Sequence, residues 1–418
     1  MKIIQLLARI EGSGVTRYVI ELNKGLVKAG YDVDIIYVRA NEKPEMSNFT
    51  QDIPNAVYYD YTDELVDKLN SADLVIVNSI MEKRANPECH DKWMDLIINK
   101  ITTRKSIVVN DHNVLGFAAY YGPLLHNKNF WMAFDHIAIF DTGAKVWLKI
   151  ADLIGKDEAA KRFVRLYHPY ELHDEMRNIW VKPEDKKRRV TYLGRHSLFK
   201  DPERLLRCRN SFYRDNWELE MRGIKRTIKV AEVPDLLYSF DENGNRIPSK
   251  ACIIVNKNWK AENGIAINDN MIDIERKNGW CYVFDAYKRE DGIAAVAHSA
   301  FGADFFHLRA ADCYGDNFEY TLLEMIEAGT IPMLDWNAGH AINVFDENFK
   351  RIESVYNAGV GIFLKKDTSN IDECLKQMDE LVSDSSKYEA MREKCWNYVK
   401  AVCDPVRIAS KLVNDFMK

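Results

Sequence analysis

The chain contains 418 residues and carries a formal net charge of −5, which disfavours a protein that coats nucleic acid non-specifically without excluding a DNA substrate. Its length predicts two domains with a cleft between them, because single hydrophobic cores stop growing at shorter lengths. The eight cysteines form no C-x-x-C pair and follow no metal-ligand spacing, which predicts reduced thiols and no structural zinc. The absence of a signal peptide and of long apolar runs predicts a soluble intracellular protein.

The first part of the chain alternates short apolar runs with helical patterns. Residues 2–8 form an apolar run, followed by a glycine-bearing turn and a helical pattern that extends to Gly30. Such alternation predicts a doubly wound parallel sheet that binds ligands at the carboxyl ends of its strands. Further strands of this sheet are predicted at 33–38, 74–78, 106–110 and 137–140.

Gly12, Ser13 and Gly14 form the turn after the first predicted strand. The third glycine of a dinucleotide fingerprint is absent and no convincing partner acid follows, so NAD binding is disfavoured. Because glycine lacks a Cβ, the backbone N–H groups of this turn can approach a phosphate or a sugar closely. The structural alternative is an ordinary tight turn.

Polar residues also close the predicted strand 106–110. Asp111 and His112 follow this strand directly. A carboxylate at this position could orient an acceptor hydroxyl or take its proton, and the imidazole could donate a hydrogen bond to a sugar or phosphate. Capping of the next segment by Asp111 is the alternative interpretation.

A second series of strands begins after a polar stretch at residues 182–189, which holds Pro183 and a basic run and is the predicted linker. Basic runs of this kind more often form solvated surfaces than binding sites. The chain ends in a helical pattern that is broken near Asp404 and Pro405. The strands of the second series are predicted at 190–194, 217–221, 252–255, 282–284, 303–308 and 331–334.

Arg195 and Lys200 follow the first strand of this second series. An arginine with its planar fork and a lysine with its point charge can together neutralise a diphosphate leaving group. Their position at the end of a strand favours this function over the alternative of two surface cations that flank a turn.

Residues 318–332 place Glu319 and Glu324 where a loop becomes a helix, and Gly329 ends that helix. The unused N–H groups and the positive dipole end of such a helix can face a diphosphate. On a continuous helix the two glutamates lie about 140° apart, so one could reach a sugar while the other reaches a ribose. Two solvated glutamates on an amphipathic helix are the alternative.

Together these segments resemble the T-even bacteriophage DNA α-glucosyltransferases, which are retaining two-domain enzymes that glycosylate 5-hydroxymethylcytosine in phage DNA. The resemblance runs from end to end and is sharpest at residues 11–17, 111–115, 194–200 and 319–332, whereas 241–277 match poorly. It implies an α/β fold of the GT-B type, with two facing Rossmann-like domains and an interdomain cleft. The implied ranges are 1–180 for the acceptor-side domain, 190–395 for the nucleotide-sugar domain, and 396–418 for a C-terminal helix that packs back on the N-terminal domain.

The resemblance also implies roles for individual residues. Glu324 would bind the ribose and Glu319 the sugar or diphosphate region of the donor, while Asp111 would lie beside the acceptor hydroxyl. The family carries a histidine before this aspartate where the chain has Asn110, so the sugar or its orientation is open. The implied catalytic residues are Asp111, His112, Arg195 and Lys200; the donor-binding residues are Gly12, Ser13, Gly14, Arg195, Lys200, Glu319, Tyr320, Thr321 and Glu324; the DNA-binding residues are Lys83, Arg84, Arg104 and Lys105.

The function implied by the resemblance is retaining transfer of a sugar from a UDP-sugar to hydroxymethylcytosine in double-stranded DNA, within the host cytoplasm and without a metal, a cofactor or a membrane. Glucose is the family's usual sugar, and arabinose is its competitor. The acceptor could instead be a glycan, a lipid-linked glycan or a hydroxymethylcytosine that already bears a sugar. A catalytically silent protein that binds a nucleotide-sugar or DNA is a further hypothesis.

Overall fold

The computed structural model describes residues 1–8, 14–38, 55–78, 87–109, 124–140, 144–194, 203–222, 238–240, 246–248, 253–254, 281–284, 289–305, 319–335, 344–345, 348–352 and 355–418. Two parallel sheets of seven strands each form its framework, one in each half of the chain. None of the helices in these ranges has the length and apolarity needed to cross a membrane.

The first sheet has the strand order β3-β2-β1-β4-β5-β6-β7, and all its strands are parallel. Both of its faces are covered, so its strands are near-continuous apolar runs. Ile4 and Leu6 pack on one face and Ile3 on the other. Its strands are β1 (Lys2–Leu7), β2 (Asp32–Tyr37), β3 (Ala56–Tyr58), β4 (Leu74–Val77), β5 (Lys105–Val109), β6 (His136–Ile139) and β7 (Phe163–Arg165).

Helices connect these strands and cover both faces of the first sheet. The segment after α3 continues as a π-helical turn at Leu96–Lys100, and a 3₁₀ turn at Leu124–His126 precedes α4. The helices are α1 (Gly14–Lys28), α2 (Asp63–Asn70), α3 (Pro87–Asp95), α4 (Lys128–Met132), α5 (Ala144–Ile154) and α6 (Lys156–Arg162).

The second sheet has the order β12-β13-β9-β8-β14-β15-β18 and is also parallel throughout. Two antiparallel pairs, β10-β11 and β16-β17, lie outside it. The strands of the second half are β8 (Lys187–Leu193), β9 (Glu218–Arg222), β10 (Tyr238–Phe240), β11 (Arg246–Pro248), β12 (Ile253–Ile254), β13 (Cys281–Phe284), β14 (Ser299–Ala303), β15 (Ile331–Asp335), β16 (Val344–Phe345), β17 (Arg351–Ile352) and β18 (Ile362–Leu364).

Within the described residues, the second half of the chain contains seven further helices: α7 (Glu203–Arg207), α8 (Arg209–Arg214), α9 (Arg289–Ala297), α10 (Tyr320–Glu327), α11 (Ile371–Val382), α12 (Ser385–Cys403) and α13 (Pro405–Phe416). The segment between β7 and β8, residues 166–186, joins the two sheets and is named the crossover segment here; it contains 3₁₀ turns at Asp174–Ile179 and Pro183–Asp185.

The chain end returns to the first sheet. Leu412 and Phe416 of α13 belong to the same apolar cluster as Tyr18 and Leu22 of α1. The two helices approach so closely that a Cβ at Gly25 would lie 2.1 Å from the carbonyl oxygen of Pro405. The predicted break near Asp404 and Pro405 is confirmed, because Pro405 cannot continue the hydrogen bonding of α12 and instead starts α13.

One predicted strand is displaced. The prediction placed it at 303–308, whereas β14 spans Ser299–Ala303, and Asp304 and Phe305 lie beyond it. The sequence Ser-Ala-Phe-Gly-Ala has little intrinsic strand preference. Small residues are nevertheless required there, because the side chain of Met325 packs directly over Gly302, where an added Cβ would lie 2.6 Å from its sulfur.

The basic run at residues 186–189 is neither a linker nor a solvated surface as a whole, because β8 begins within it. Arg189 is buried and pairs with Glu218 and Glu220 of β9. The Lys186 ammonium donates to the carbonyl oxygen of Ala297 at 2.7 Å, and burial together with the nearby Arg392 lowers the pKa of Lys186 from 10.5 to about 7. Both side chains are therefore engaged in contacts within the second half of the chain.

We expect Lys186→Met to reduce the pH dependence of stability. Because the folded pKa lies below the unfolded value, the unfolded chain binds more protons between pH 7 and 10.5, and the free energy of unfolding rises with pH in that window. Relative to Lys186→Met, the wild type should gain about 2 kcal/mol between pH 7 and 9. Urea unfolding at both pH values measures this, with the exposed Lys187→Met as the control; equal slopes for wild type and Lys186→Met would contradict the prediction.

Candidate functional site

The start of α1 lies at the carboxyl edge of the first sheet, a few residues after the end of β1. Gly14 is the first residue of α1 and is exposed, and a Cβ added there would meet no atom of the described residues within 4 Å. The backbone N–H groups of the first helical turn have no partner within the helix, which makes such a helix start suited to an anionic ligand. Gly12 and Ser13 lie outside the described residues.

The start of α10 occupies the equivalent position on the second sheet, between β14 and β15. Glu319 is its N-cap residue and makes no side-chain capping hydrogen bond, so the N–H groups of the first turn are not used by the helix or by this side chain. Glu319, Thr321 and Glu324 are half-buried, whereas Leu322 and Leu323 pack into the core. The polar face of this helix thus presents both predicted glutamates away from the sheet.

The start of α10 packs near the second turn of α1 through His168 of the crossover segment. The ring of Tyr320, the first residue of α10, is 4.4 Å from that of His168, and the His168 ring is 6.3 Å from that of Tyr18 in α1. The hydroxyl of Tyr320 donates to the carbonyl oxygen of Pro169 at 3.4 Å. Burial raises the pKa of Tyr320 well above its ordinary value, so this phenol stays neutral. Tyr320, which is predicted to bind the donor, therefore also contacts the crossover segment that joins the two sheets.

Carboxylates further along the two helices hold the crossover segment. In α1, the fully buried Glu21 accepts a hydrogen bond of 2.9 Å from the backbone N–H of Glu171 and pairs with Arg17 and Lys24, each at 3.0 Å. In α10, Glu327 accepts from the hydroxyl of Tyr170 at 2.6 Å. The two helices are therefore connected through consecutive residues of one segment.

Sequence reasoning did not identify Glu21, Tyr170, His173 or Glu327. A glutamate at position 21 within an otherwise apolar helical face was a usable signal, because a buried charge requires a partner. The sequence around Glu327 carries no comparable signal, because its role depends on the crossover segment that packs against α10.

Several predicted residues follow strands whose ends the structure shows. β5 ends at Val109 and β8 at Leu193, both at carboxyl edges. The residues themselves lie outside the described part of the chain, so their predicted roles remain predictions: Lys83, Arg84, Asp111, His112, Arg195 and Lys200.

Arg104 and Lys105, the other residues predicted to contact DNA, are engaged within the protein, and their role at DNA stays a prediction. Both lie at the amino end of β5, whereas the helix starts and predicted ligands lie at the carboxyl end. Arg104 donates to the carbonyl oxygen of Phe416 at 3.0 Å. Lys105 is buried with its ammonium bonded to the carbonyl oxygen of Ile101, and burial lowers its pKa. These two side chains therefore connect the amino edge of the first sheet to α13 and to the segment that precedes β5.

Across the described ranges, no group of three or more His, Cys, Asp or Glu side chains could hold a metal ion.

Gly329 and Gly14 differ in backbone conformation and in the space around them, so replacement by alanine should affect stability differently at the two positions. Gly329 ends α10 with φ of +71°, and an added Cβ would lie 2.6 Å from the Trp180 ring. We expect Gly329→Ala to lower the free energy of unfolding by about 2 kcal/mol. Gly14→Ala should leave it unchanged or slightly higher, because alanine favours the helix. Thermal and urea unfolding test both; equal stability of the two variants would contradict this assignment.

Comparison with known proteins agrees with this arrangement, although no family model matches the chain. The DNA alpha-glucosyltransferase of Enterobacteria phage T4 is 20% identical over 410 residues, which are 96% of this chain and 95% of that protein. A solved alpha-glucosyltransferase in complex with UDP superposes with a TM-score of 0.75 at 17% identity, covering 100% of both chains. A structure of alpha-glucosyltransferase with UDP and a 13-mer DNA containing an HMU base gives a TM-score of 0.72, again at 17% identity and 100% of both chains.

These similarities confirm two expectations from the sequence. The chain has the GT-B type of α/β fold, with two parallel sheets whose carboxyl edges carry the candidate site. Its resemblance to the phage DNA α-glucosyltransferase extends over nearly the whole length of both proteins.

Proposed function

We propose that the protein is a UDP-sugar-dependent glycosyltransferase that transfers glucose to the hydroxymethyl group of 5-hydroxymethylcytosine in DNA. The observation that carries the proposal is the packing of the start of α10 near α1, in which His168 lies between Tyr320 and Tyr18. In the proposed site the nucleotide-sugar contacts the N-termini of both helices. The choice of acceptor is supported by the end-to-end similarity to a DNA alpha-glucosyltransferase and by the DNA bound in a similar structure.

The donor binds chiefly to α10. Its first-turn N–H groups and dipole face the diphosphate, with Tyr320 and Thr321 contributing these groups. Glu324 accepts hydrogen bonds from the ribose hydroxyls, and Glu319 from the sugar or the diphosphate region. Gly12 and Ser13, together with the exposed Gly14 at the start of α1, approach the donor from the side of the first sheet. Arg195 and Lys200 complete the neutralisation of the diphosphate.

The reaction proceeds with retention of configuration at the sugar. The bond between the anomeric carbon and the diphosphate oxygen breaks, and the leaving UDP is stabilised by the α10 N-terminus, Arg195 and Lys200. The acceptor hydroxyl attacks from the face that UDP leaves and transfers its proton to the departing phosphate. Asp111 orients this hydroxyl, and His112 hydrogen-bonds the sugar or phosphate. In this scheme the UDP-sugar is the donor substrate and no further cofactor takes part.

The acceptor base leaves the DNA stack to reach this site, at a cost of about a few kcal/mol. In the proposed division of labour, residues 1–180 bind the DNA side and residues 190–395 bind the donor, while the C-terminal segment 396–418 joins the two. Lys83 and Arg84 remain the proposed phosphate contacts, and the reaction takes place on phage DNA in the host cytoplasm.

A transfer screen tests the proposal. The purified chain is incubated with UDP-glucose or UDP-arabinose and with matched duplexes that contain cytosine, 5-hydroxymethylcytosine or glucosylated hydroxymethylcytosine, and the nucleosides are analysed by mass spectrometry. We expect a gain of one hexose on hydroxymethylcytosine with UDP-glucose. Transfer only to the glucosylated base, or no transfer to any of the duplexes, would contradict the proposed acceptor. Transfer of arabinose in place of glucose would contradict the proposed sugar but not the proposed acceptor. Digestion of the product with anomer-specific glucosidases tests whether the configuration of the sugar is retained.

We expect Glu324→Gln to raise the dissociation constant of UDP about tenfold, since one carboxylate that accepts from both ribose hydroxyls becomes a weaker acceptor. Glu319→Gln should instead lower kcat with UDP-glucose more than it weakens UDP binding. Isothermal titration and steady-state kinetics measure the two effects. Glu380→Gln in α11 is the control, and an unchanged dissociation constant for Glu324→Gln would exclude the ribose contact.

A further inference from the structure

We propose that Glu327 is a positioning residue, which sets the pose of the α10 first turn, and hence of the donor, relative to α1 by fixing the crossover segment. The inference rests on the proposed function, because it concerns the same donor site. It assigns Glu327 no contact with the donor itself.

The carboxylate of Glu327 is committed to the crossover segment through both oxygens. Oε2 accepts from the Tyr170 hydroxyl at 2.6 Å, and Oε1 accepts from the backbone N–H of His173 at 3.1 Å and lies 2.6 Å from its Nδ1. The carbonyl oxygen of Glu327 accepts from Trp180 Nε1 at 2.7 Å. One residue of α10 is thus bonded to three residues spread along the crossover segment.

The same segment is fixed to α1 on its other side. Glu171, which lies between Tyr170 and His173, donates its backbone N–H to Glu21 at 2.9 Å, and its side chain pairs with Lys28. A path of hydrogen bonds therefore runs from Glu21 in α1 to Glu327 in α10 through adjacent residues. Charge-assisted hydrogen bonds of this kind are shorter and more directional than neutral ones.

The position of Glu327 in α10 makes this attachment relevant to the donor. The helix spans only Tyr320–Glu327, so Glu327 anchors one end while Glu319 and the first-turn N–H groups stand at the other. Glu324 lies one turn from Glu327, and burial together with the charges of Glu327 and Glu324 raises the pKa of Tyr170. Release of the Glu327 end would let the short helix tilt, and small errors of donor position are costly for group transfer.

The test compares Glu327→Gln with Glu393→Gln. Glu393 in α12 also pairs with the crossover segment, through Arg177, but it lies on a helix that carries no predicted donor residue. We expect Glu327→Gln to raise the dissociation constant of UDP and the KM for UDP-glucose about tenfold, with the KM for DNA within about twofold of wild type. Glu393→Gln should change none of these quantities.

Two measurements separate positioning from general destabilisation. All assays are run about 20 °C below the melting midpoint of each variant, and His173→Ala, which keeps the Tyr170 bond, should weaken UDP binding in the same direction by a smaller factor. Equal UDP dissociation constants for wild type, Glu327→Gln and His173→Ala would overturn the positioning role. A wild type that binds UDP without modifying hydroxymethylcytosine DNA would overturn the proposed function while leaving the UDP comparison decisive for Glu327.

Discussion

The candidate site depends on the hydrogen bonds by which two carboxylates, those of Glu21 and Glu327, bind the crossover segment. In the proposed site the donor contacts one helix start from each sheet, at α1 and at α10. Glu21 accepts a hydrogen bond from Glu171 and Glu327 accepts one from Tyr170, so neighbouring residues of the same segment fix the position of α1 relative to α10. Burying such charges is costly unless they are paired and hydrogen-bonded, and here Arg17, Tyr170 and His173 provide that compensation.

Parallel topology explains why the chemistry lies on one side of each sheet. Strand ends and helix starts meet only at the carboxyl edges, so the exposed Gly14 and the half-buried Glu319 and Glu324 are gathered there. The amino edges carry cations as well, but these are used internally. Lys105 and Lys186 both donate to backbone carbonyl oxygens, and burial lowers the pKa of both. A basic residue near a strand end therefore indicates a ligand site only when it is known to lie at the carboxyl end of the strand.

The fold class was predictable because buried parallel strands leave long apolar runs, as at β1, β4 and β5. The helix bounded by Glu319 and Gly329 was predictable for a similar reason, since its apolar stripe and its glycine stop are local features. The position of β14 was not, because its small residues serve the packing of Met325 on Gly302. The role of Glu327 was also hidden, since residues about 150 positions away in the chain determine it.

Hydrogen–deuterium exchange of the full chain with and without UDP-glucose tests most directly whether α1 and α10 act as one donor site. The account predicts that the donor slows exchange in the first turns of both helices and in the crossover segment around Tyr170 and His173. Slower exchange at α10 alone, with α1 and the crossover segment unchanged at saturating donor, would contradict it.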